Sequence, residues 1–409
     1  MAKPTIITGL DIGTSSIKML VASKRNGELN LEVIWQGKEP SFGVRRGVII
    51  DIEKTAKILQ SLLLRVRAET GQKIDSVHVN IGGSHIFTTY SHGTVAVSRA
   101  DKKVSKEDVE RVIQAAQTFS LPSNNEILDI FPKEFAVDGQ SRIKEVVGMQ
   151  GVRLETEVLV LAGFSPYKNN LTQTVLSSDL QILDIVPSPL ASSLAVLTPR
   201  QQEIGVALLD IGAGTTELSV FEDGDLVHLA IFPIGSSNIT NDIAIGLKTD
   251  IDTAERIKIE RGCCVFKGKD KKERIETETE GEEDLILSQK TLTKIITARV
   301  EEIFEEVKKE LKKIQKYELL PAGIVLTGGG SKLPKIVEFA QKDLKLHCRI
   351  GKPYNFTGLE DDLSFSTACG LVLRGAGAEK ESSFGGDSLA AFKGKFGNAI
   401  KKIFRSFSL

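Results

Sequence analysis

Asp11-Ile12-Gly13-Thr14-Ser15-Ser16-Ile17-Lys18 and, much later in the chain, Asp210-Ile211-Gly212-Ala213-Gly214-Thr215-Thr216 follow one plan. Each begins at the end of a stretch that reads as a buried strand, Ile6 to Leu10 and Ala207 to Leu209. Each then runs into a second strand, a turn (Asn26-Gly27 and Asp223-Gly224) and a third strand. Asn-Gly and Asp-Gly between alternating apolar runs are strong hairpin signals. The repetition predicts two related halves, each opening with a hairpin.

The turns carry phosphate-binding chemistry. Gly13 lets the backbone approach an anion, and the N–H groups and hydroxyls of Thr14, Ser15 and Ser16 can donate to phosphate oxygens. Lys18 adds a point charge. Gly212, Gly214, Thr215 and Thr216 offer similar equipment from the other half. Asp11 and Asp210 would face each other across a cleft and could hold Mg²⁺ through water. A plain tight turn would explain one such loop; it explains a matched pair poorly.

Two further elements belong with them. The apolar strand from Ile324 to Leu326 leads through Thr327 into Gly328-Gly329-Gly330-Ser331 and then a helix carrying Ile336. These glycines permit backbone contact with a flat adenine or its ribose. In the segment 254–262, Glu255 and Lys258 lie three apart on one helix face. They either bracket ribose and base or form an ordinary surface ion pair.

Outward from these motifs the chain is that of a globular protein. It has 409 residues, with 53 Lys plus Arg against 54 Asp plus Glu, which argues against a broadly nucleic-acid-binding surface. No apolar run is long enough for a transmembrane helix, and residues 1–4 do not read as a secretory signal. Cys263, Cys264, Cys348 and Cys369 include no C-x-x-C pair and read as reduced thiols of a cytosolic protein. The His residues show no metal-binding spacing.

Between the hairpins, Val77 to Gly83 reads as a strand ending in a glycine turn. Ser105 and Asp108 make a capping box for a helix to Gln117, with Val109, Val112, Ile113 and Ala116 on one face. Strands are expected at 127–131, 135–137 and 158–161, so residues of about 83–162 form an α+β insertion. Helices at 171–177 and 189–197 flank a strand at 182–186. Residues 267–284 read as a charged, solvated loop. A long helix opens at Ser288 with a stripe of Leu292, Ile296, Val300, Ile303, Val307, Leu311 and Ile314. Residues 376–388 read as a flexible linker.

Leu389, Phe392, Phe396, Ile400, Ile403 and Phe407 then recur every three or four residues, widened by Phe404 and Ala399. Lys393, Lys395, Lys401, Lys402 and Arg405 take the flanks, with no acid after Asp387. A helix docked on the body is the alternative. An amphipathic Lys-rich helix lying in an anionic membrane interface fits the pattern better.

The set of elements resembles the actin, sugar-kinase and DnaK-chaperone superfamily over residues 5–375. That resemblance implies an α/β, actin-like fold of two related halves closing on Mg-ATP, with connecting segments at 185–196 and 365–375. No G-x-x-x-x-G-K-[ST] occurs, so P-loop chemistry is excluded. Only about 34 residues follow Gly375, too few for a chaperone's substrate domain.

Closer similarity points to the FtsA family of bacterial division proteins. It lies in Ser91-His92-Gly93-Thr94-Val95, in Ile127 through Phe135 with Val137-Asp138-Gly139-Gln140, and in Val147 through Glu155. It implies subdomain 1A at 1–82 and 163–197, closed by 363–375, and an inserted subdomain 1C at 83–162. It further implies 2A at 198–237 and 307–362, 2B at 238–306, a linker at 376–388 and a membrane helix at 389–409. The expected protein binds ATP and forms filaments on the inner face of the cytoplasmic membrane at the division site. It tethers FtsZ there through FtsZ's C-terminal peptide and recruits later division proteins. Lys294, Arg299 and Glu302 fall on the stretch matching the family's FtsZ-peptide surface; solvated charges flanking a core helix are the other reading.

Polymerising relatives carry Glu or Gln in the first connecting segment, where MreB-like sequences read Glu-Pro-x-Ala. Here Val186-Pro187-Ser188-Pro189-Leu190-Ala191 puts Ser188 at that place, and Ser orients water poorly. ATP binding with slow hydrolysis is therefore expected, and no catalytic residue is assigned. A small-molecule kinase or ATPase of the same fold is the alternative, and a pilus-assembly homologue of the PilM type a third reading.

Overall fold

The computed structural model describes residues 4–25, 30–268, 272–275 and 285–382, with backbone alone for 272–275, 285–287 and 378–382. The Asn26-Gly27 turn, most of the charged stretch 267–284 and the helix expected at 389–409 lie outside the described residues. The chain divides into two compact units.

The larger unit comprises Met1–Ser84, Asn169–Gly224 and His228–Ala378 and holds two sheets. The first runs Gln181–Pro187, Ser76–Ile81, Thr5–Ile12, Ser16–Lys24, Leu31–Pro40, Phe356–Thr357. The second runs Asp225–Phe232, Thr216–Glu222, Val206–Ile211, Ile324–Thr327, Cys348–Ile350. The expected duplication is evident in the pairing. In each sheet an antiparallel hairpin lies beside a parallel strand, Ser76–Ile81 in the first and Ile324–Thr327 in the second. Ile7 to Ile12 and all of Val206–Ile211 are buried. Strands covered on both faces are rich in apolar residues without regular alternation, which is why the sequence there lacks a period of two.

Two helices pack closely because glycine removes a side chain at each contact. A Cβ at Gly9 would lie 2.5 Å from the carbonyl oxygen of Ala368, so the helix Ser366–Ser382 rests directly on the strand Thr5–Ile12. One at Gly370 would lie 1.6 Å from the carbonyl oxygen of Ala191, where this helix crosses Ser188–Val196. The same helix takes residues 376–382 of the linker expected at 376–388, whose remaining residues lie outside the described ones. Its backbone stays helical through Ser382, because Ala376, Ala378, Glu379, Lys380 and Glu381 extend an existing helix with good helix formers.

The long helix is Gln289–Lys313, capped by the Ser288 side chain, which accepts from the Thr291 N–H. Leu292, Ile296, Val300, Ile303, Val307 and Leu311 are all buried along its core face.

The second unit is built on His85–Lys168. Its sheet runs Phe87–Ala96, Arg153–Phe164, Asn125–Val137, Gln140–Ile143. The helix Lys106–Ala116 carries the expected capping box. Val109, Val112 and Ile113 join Leu154, Val158 and Val160 in the unit's core. Gly93 is needed here, since a Cβ would lie 2.2 Å from the carbonyl oxygen of Val112. The two strands expected at 127–131 and 135–137 are one strand. Its pairing slips at Pro132, so a bulge accommodates the missing N–H.

Gly370→Ala should therefore force the two crossing helices apart. We expect a loss of about 1–3 kcal/mol or more, typical of overpacking, read as a lower urea midpoint. An unchanged midpoint would contradict the crossing geometry.

Candidate functional site

Both hairpin turns lie at one end of their sheets and close in the same way. The Gly13 N–H donates to the Ser16 carbonyl at 3.2 Å, and Gly212 N–H to the Thr215 carbonyl at 2.9 Å. The turns also meet, since a Cβ at Gly214 would lie 2.7 Å from the Thr14 side chain. Between the hairpins lies a cavity of about 580 Å³. Its wall takes Asp11, Gly13, Thr14, Ser15, Ser16 and Lys18 from the first turn, and Asp210, Gly212 and Thr215 from the second. Gly328, Gly329 and Gly330 line it from the strand Ile324–Thr327, and Glu255 and Lys258 from the helix Ile251–Arg261.

Gly214, Thr216 and Ser331 are not on that wall. Thr216 is buried and its hydroxyl donates to the Ile234 carbonyl, because neighbours along a strand face opposite sides. Ser331 donates to the Thr327 carbonyl at 2.5 Å. Gly214 serves the contact between turns.

The charges are arranged unevenly. Lys18 stands opposite Asp11 in the hairpin register, and its ammonium pairs with Asp11 Oδ2 at 2.8 Å. Lys18 is thus partly neutralised by its own strand partner. In the second hairpin the same register position, opposite Asp210, holds Glu217. Asp210 and Glu217 are both buried, 8% exposed each. Burial first, then the Asp11 carboxylate, push the Asp210 carboxyl above its usual range. Burial first, then Asp210 and Asp11, push Glu217 up as well. Glu217 Oε2 is buried without a hydrogen-bond partner among the described residues.

Asn80 organises the first turn. Its Oδ1 accepts the Ile12 N–H at 2.7 Å, while Nδ2 donates to Asp11 Oδ1 at 2.9 Å and Ser188 Oγ at 3.0 Å. Gly47, at the tip of a short hairpin, donates its N–H to Thr14 Oγ1 at 2.9 Å. Sequence reading missed Asn80, Glu217 and Gly47. For Glu217 a signal existed: it follows Asp210 by the spacing at which Lys18 follows Asp11. Asn80 and Gly47 reach the site from other elements, and nothing local marks them.

Glu255 and Lys258 do form an ion pair, Nζ to Oε2 2.6 Å, with the lysine end buried and the glutamate end partly exposed. Lys258 is buried and also donates to Thr240 Oγ1 at 2.8 Å, while Thr240 donates to Glu255. At the other rim Asp362 holds two wall lysines, Lys332 at 2.6 Å and Lys38 at 3.1 Å.

Hard oxygen donors and an excess of buried negative charge fit a hydrated divalent cation. No group of three or more His, Cys, Asp or Glu among the described residues is set to ligate one directly. Asp11 and Asp210 would hold it through water.

Outside the cavity, Arg299 makes a two-pronged contact with Asp242 on the helix Ser236–Leu247, at 2.6 and 2.9 Å, and pairs with Glu302 at 2.5 Å. Sequence reading set Arg299 toward a peptide; its main partner within the chain is Asp242, 57 positions earlier. Lys294 is exposed.

Two matched hairpin turns across a cleft, a glycine turn and two crossing helices define an actin-like fold. Solved structures share it. A PilM–PilN type IV pilus biogenesis complex matches with a TM-score of 0.64 at 18% identity, over 90% of this chain and 98% of that one. MreB5 of Spiroplasma citri bound to ADP matches at 0.58 and 14%, over 93% and 99%. Sequence comparison goes further. The family model described as Cell division protein FtsA matches residues 207–370, and the SHS2 domain inserted in FTSA matches 83–162. Cell division protein FtsA of Pseudomonas aeruginosa is 37% identical over 90% of this chain and 89% of its own length. That of Bacillus subtilis is 36% identical over 90% and 82%, and that of Escherichia coli 32% over 94% and 92%. The chain belongs to the FtsA family of cell division proteins.

The raised Asp210 and Glu217 carboxyls have a stability consequence. Each binds its proton more tightly folded than unfolded, so the contribution is full at pH below about 4 and is lost as pH rises through the folded value. Without added nucleotide or divalent ions, stability should fall as pH rises from about 4 through about 7, the folded value of Asp210, and Glu217→Gln should flatten that slope. Urea titrations across this range check both; an unchanged slope in the variant would contradict the assignment.

Proposed function

We propose that this protein is a nucleotide-gated tether for cell division. It binds Mg-ATP in the cleft, assembles with copies of itself, and lies on the inner face of the cytoplasmic membrane. There it holds FtsZ through FtsZ's C-terminal peptide and recruits later division proteins. The observation that carries this reading is the matched pair of phosphate turns around one cavity, in a chain whose relatives bear the cell division name.

Thr14, Ser15, Ser16 and Thr215 supply donors for phosphate oxygens, and the glycines of both turns allow close backbone approach. Gly328 to Gly330 face the nucleoside, with Lys258 held by Glu255 and Thr240 beside it. Nucleotide acts by drawing the halves together, since a ligand shifts a conformational equilibrium by its differential affinity for the two states. The FtsZ-peptide surface is assigned to the stretch of Lys294, Arg299 and Glu302. Lys294 is the exposed cation there, and Arg299 braces the helix pair through Asp242. Residues 389–409 form the membrane helix in this reading, each basic residue adding on the order of 1 kcal/mol on an anionic surface. Assembly multiplies that attachment by avidity.

Fluorescent-nucleotide titration tests the cleft. Asp210→Ala should weaken binding by tenfold or more, and Gly212→Asp should do so more strongly by setting a charge against the phosphates. Unchanged affinity in both would reject the site. Liposome sedimentation tests the anchor: removal of residues 389–409, or Phe396→Glu with Ile403→Glu, should abolish pelleting with anionic vesicles while nucleotide affinity is retained. High salt should weaken wild-type pelleting only in part, because the apolar term is unscreened. A truncated protein that pelleted like the full chain would put the anchor elsewhere.

A further inference from the structure

In this family member the first connecting segment offers only a hydroxyl, Ser188, where a group to orient the attacking water would be sought. The cavity wall nevertheless carries a carboxylate, that of Glu217. Glu217 is 8% exposed and lines the cavity, and its Oε2 has no hydrogen-bond partner among the described residues. A Cβ built at Gly82 would lie 3.1 Å from Ser188 Oγ and 3.7 Å from Glu217 Oε1. Gly82, Ser188 and Glu217 therefore surround one small space, and all three line the cavity. Ser188 is already engaged there, its Oγ donating to the Ile81 carbonyl at 3.2 Å and accepting from Asn80. Of these side chains only Glu217 offers a carboxylate, and one of its oxygens has no hydrogen-bond partner among the described residues.

We propose that Glu217 orients and deprotonates the water that attacks the terminal phosphate of a nucleoside triphosphate in this cleft. This rests on the nucleotide reading above. The water O–H proton passes to the Glu217 carboxylate as the water oxygen bonds to the terminal phosphorus. The bond from that phosphorus to the bridging oxygen breaks, and its electron pair leaves on the nucleoside diphosphate. Phosphate is the second product, and Glu217 then returns its proton to solvent. Hydrolysis thus draws its carboxylate from the second hairpin instead of the connecting segment. A positioned carboxylate lining the cavity can serve as a general base, and such groups contribute about 10²–10⁴-fold.

The test compares wild type, Glu217→Gln, and Glu217→Gln with Ser188→Glu, all as full chains. Affinity is measured with a non-hydrolysable ATP analogue, and cleavage by single turnover of ATP with Mg²⁺. Glu217→Gln should slow cleavage by 100-fold or more while analogue affinity stays within about threefold. Ser188→Glu should then restore part of the lost rate, a rescue that a merely structural Glu217 would not give. Cleavage by Glu217→Gln at the wild-type rate, or parallel loss of rate and analogue affinity, would overturn the proposal. So would wild type that binds the analogue yet cleaves no ATP, which leaves the nucleotide site standing. Wild type that binds no analogue would overturn the nucleotide reading and this proposal together.

Discussion

Three carboxylates and one ammonium share the floor of the cavity. Asp11 has Lys18; Asp210 and Glu217 have no cation of their own in the hairpin that carries them. Burial removes the water that would otherwise screen them, so the pair binds protons or demands a cation. This imbalance gives the site its character. The wall is negative at its floor and rich in backbone and hydroxyl donors at its turns. The near-symmetry of the hairpins makes the difference legible: one register position is Lys in the first half and Glu in the second.

The scaffold that brings these charges together depends on bare backbone. Gly9 seats the last helix on the first strand, and Gly370 lets that helix cross Ser188–Val196. Gly328 approaches so closely that a Cβ would lie 2.1 Å from Asp210 Oδ1. Its φ of +84° also excludes most other residues. Ser188 begins one crossing helix and contacts Asn80, which holds Asp11. The first hairpin turn is thus linked to the helix crossing by a short chain of direct contacts.

Local signals carried much of the architecture. The Asp223-Gly224 turn, the Ser105–Asp108 capping box, the apolar stripe from Leu292 to Leu311 and the glycine turn at 328–330 are decided by residues close together along the chain. Local backbone preference and side-chain period determine such features, and both are visible in a linear string. The end of the last helix is different: glycine and serine near 376–388 read locally as a linker, while a helix already nucleated by packing runs on through Ser382.

The order of residues by itself determined the duplication, the two matched hairpin turns and the division-protein family, because these rest on short motifs in repeated context. Tertiary structure decided which residues use their charge on a ligand and which use it on the chain. Lys18 is held by Asp11, Arg299 by Asp242 and Lys332 by Asp362. Asn80 reaches Asp11 from another strand, and Glu217 stands beside Ser188. The bonded pairs among these join positions from 7 to 69 residues apart. Coulombic and hydrogen-bond energies depend on distance in space, and only the folded chain sets that distance.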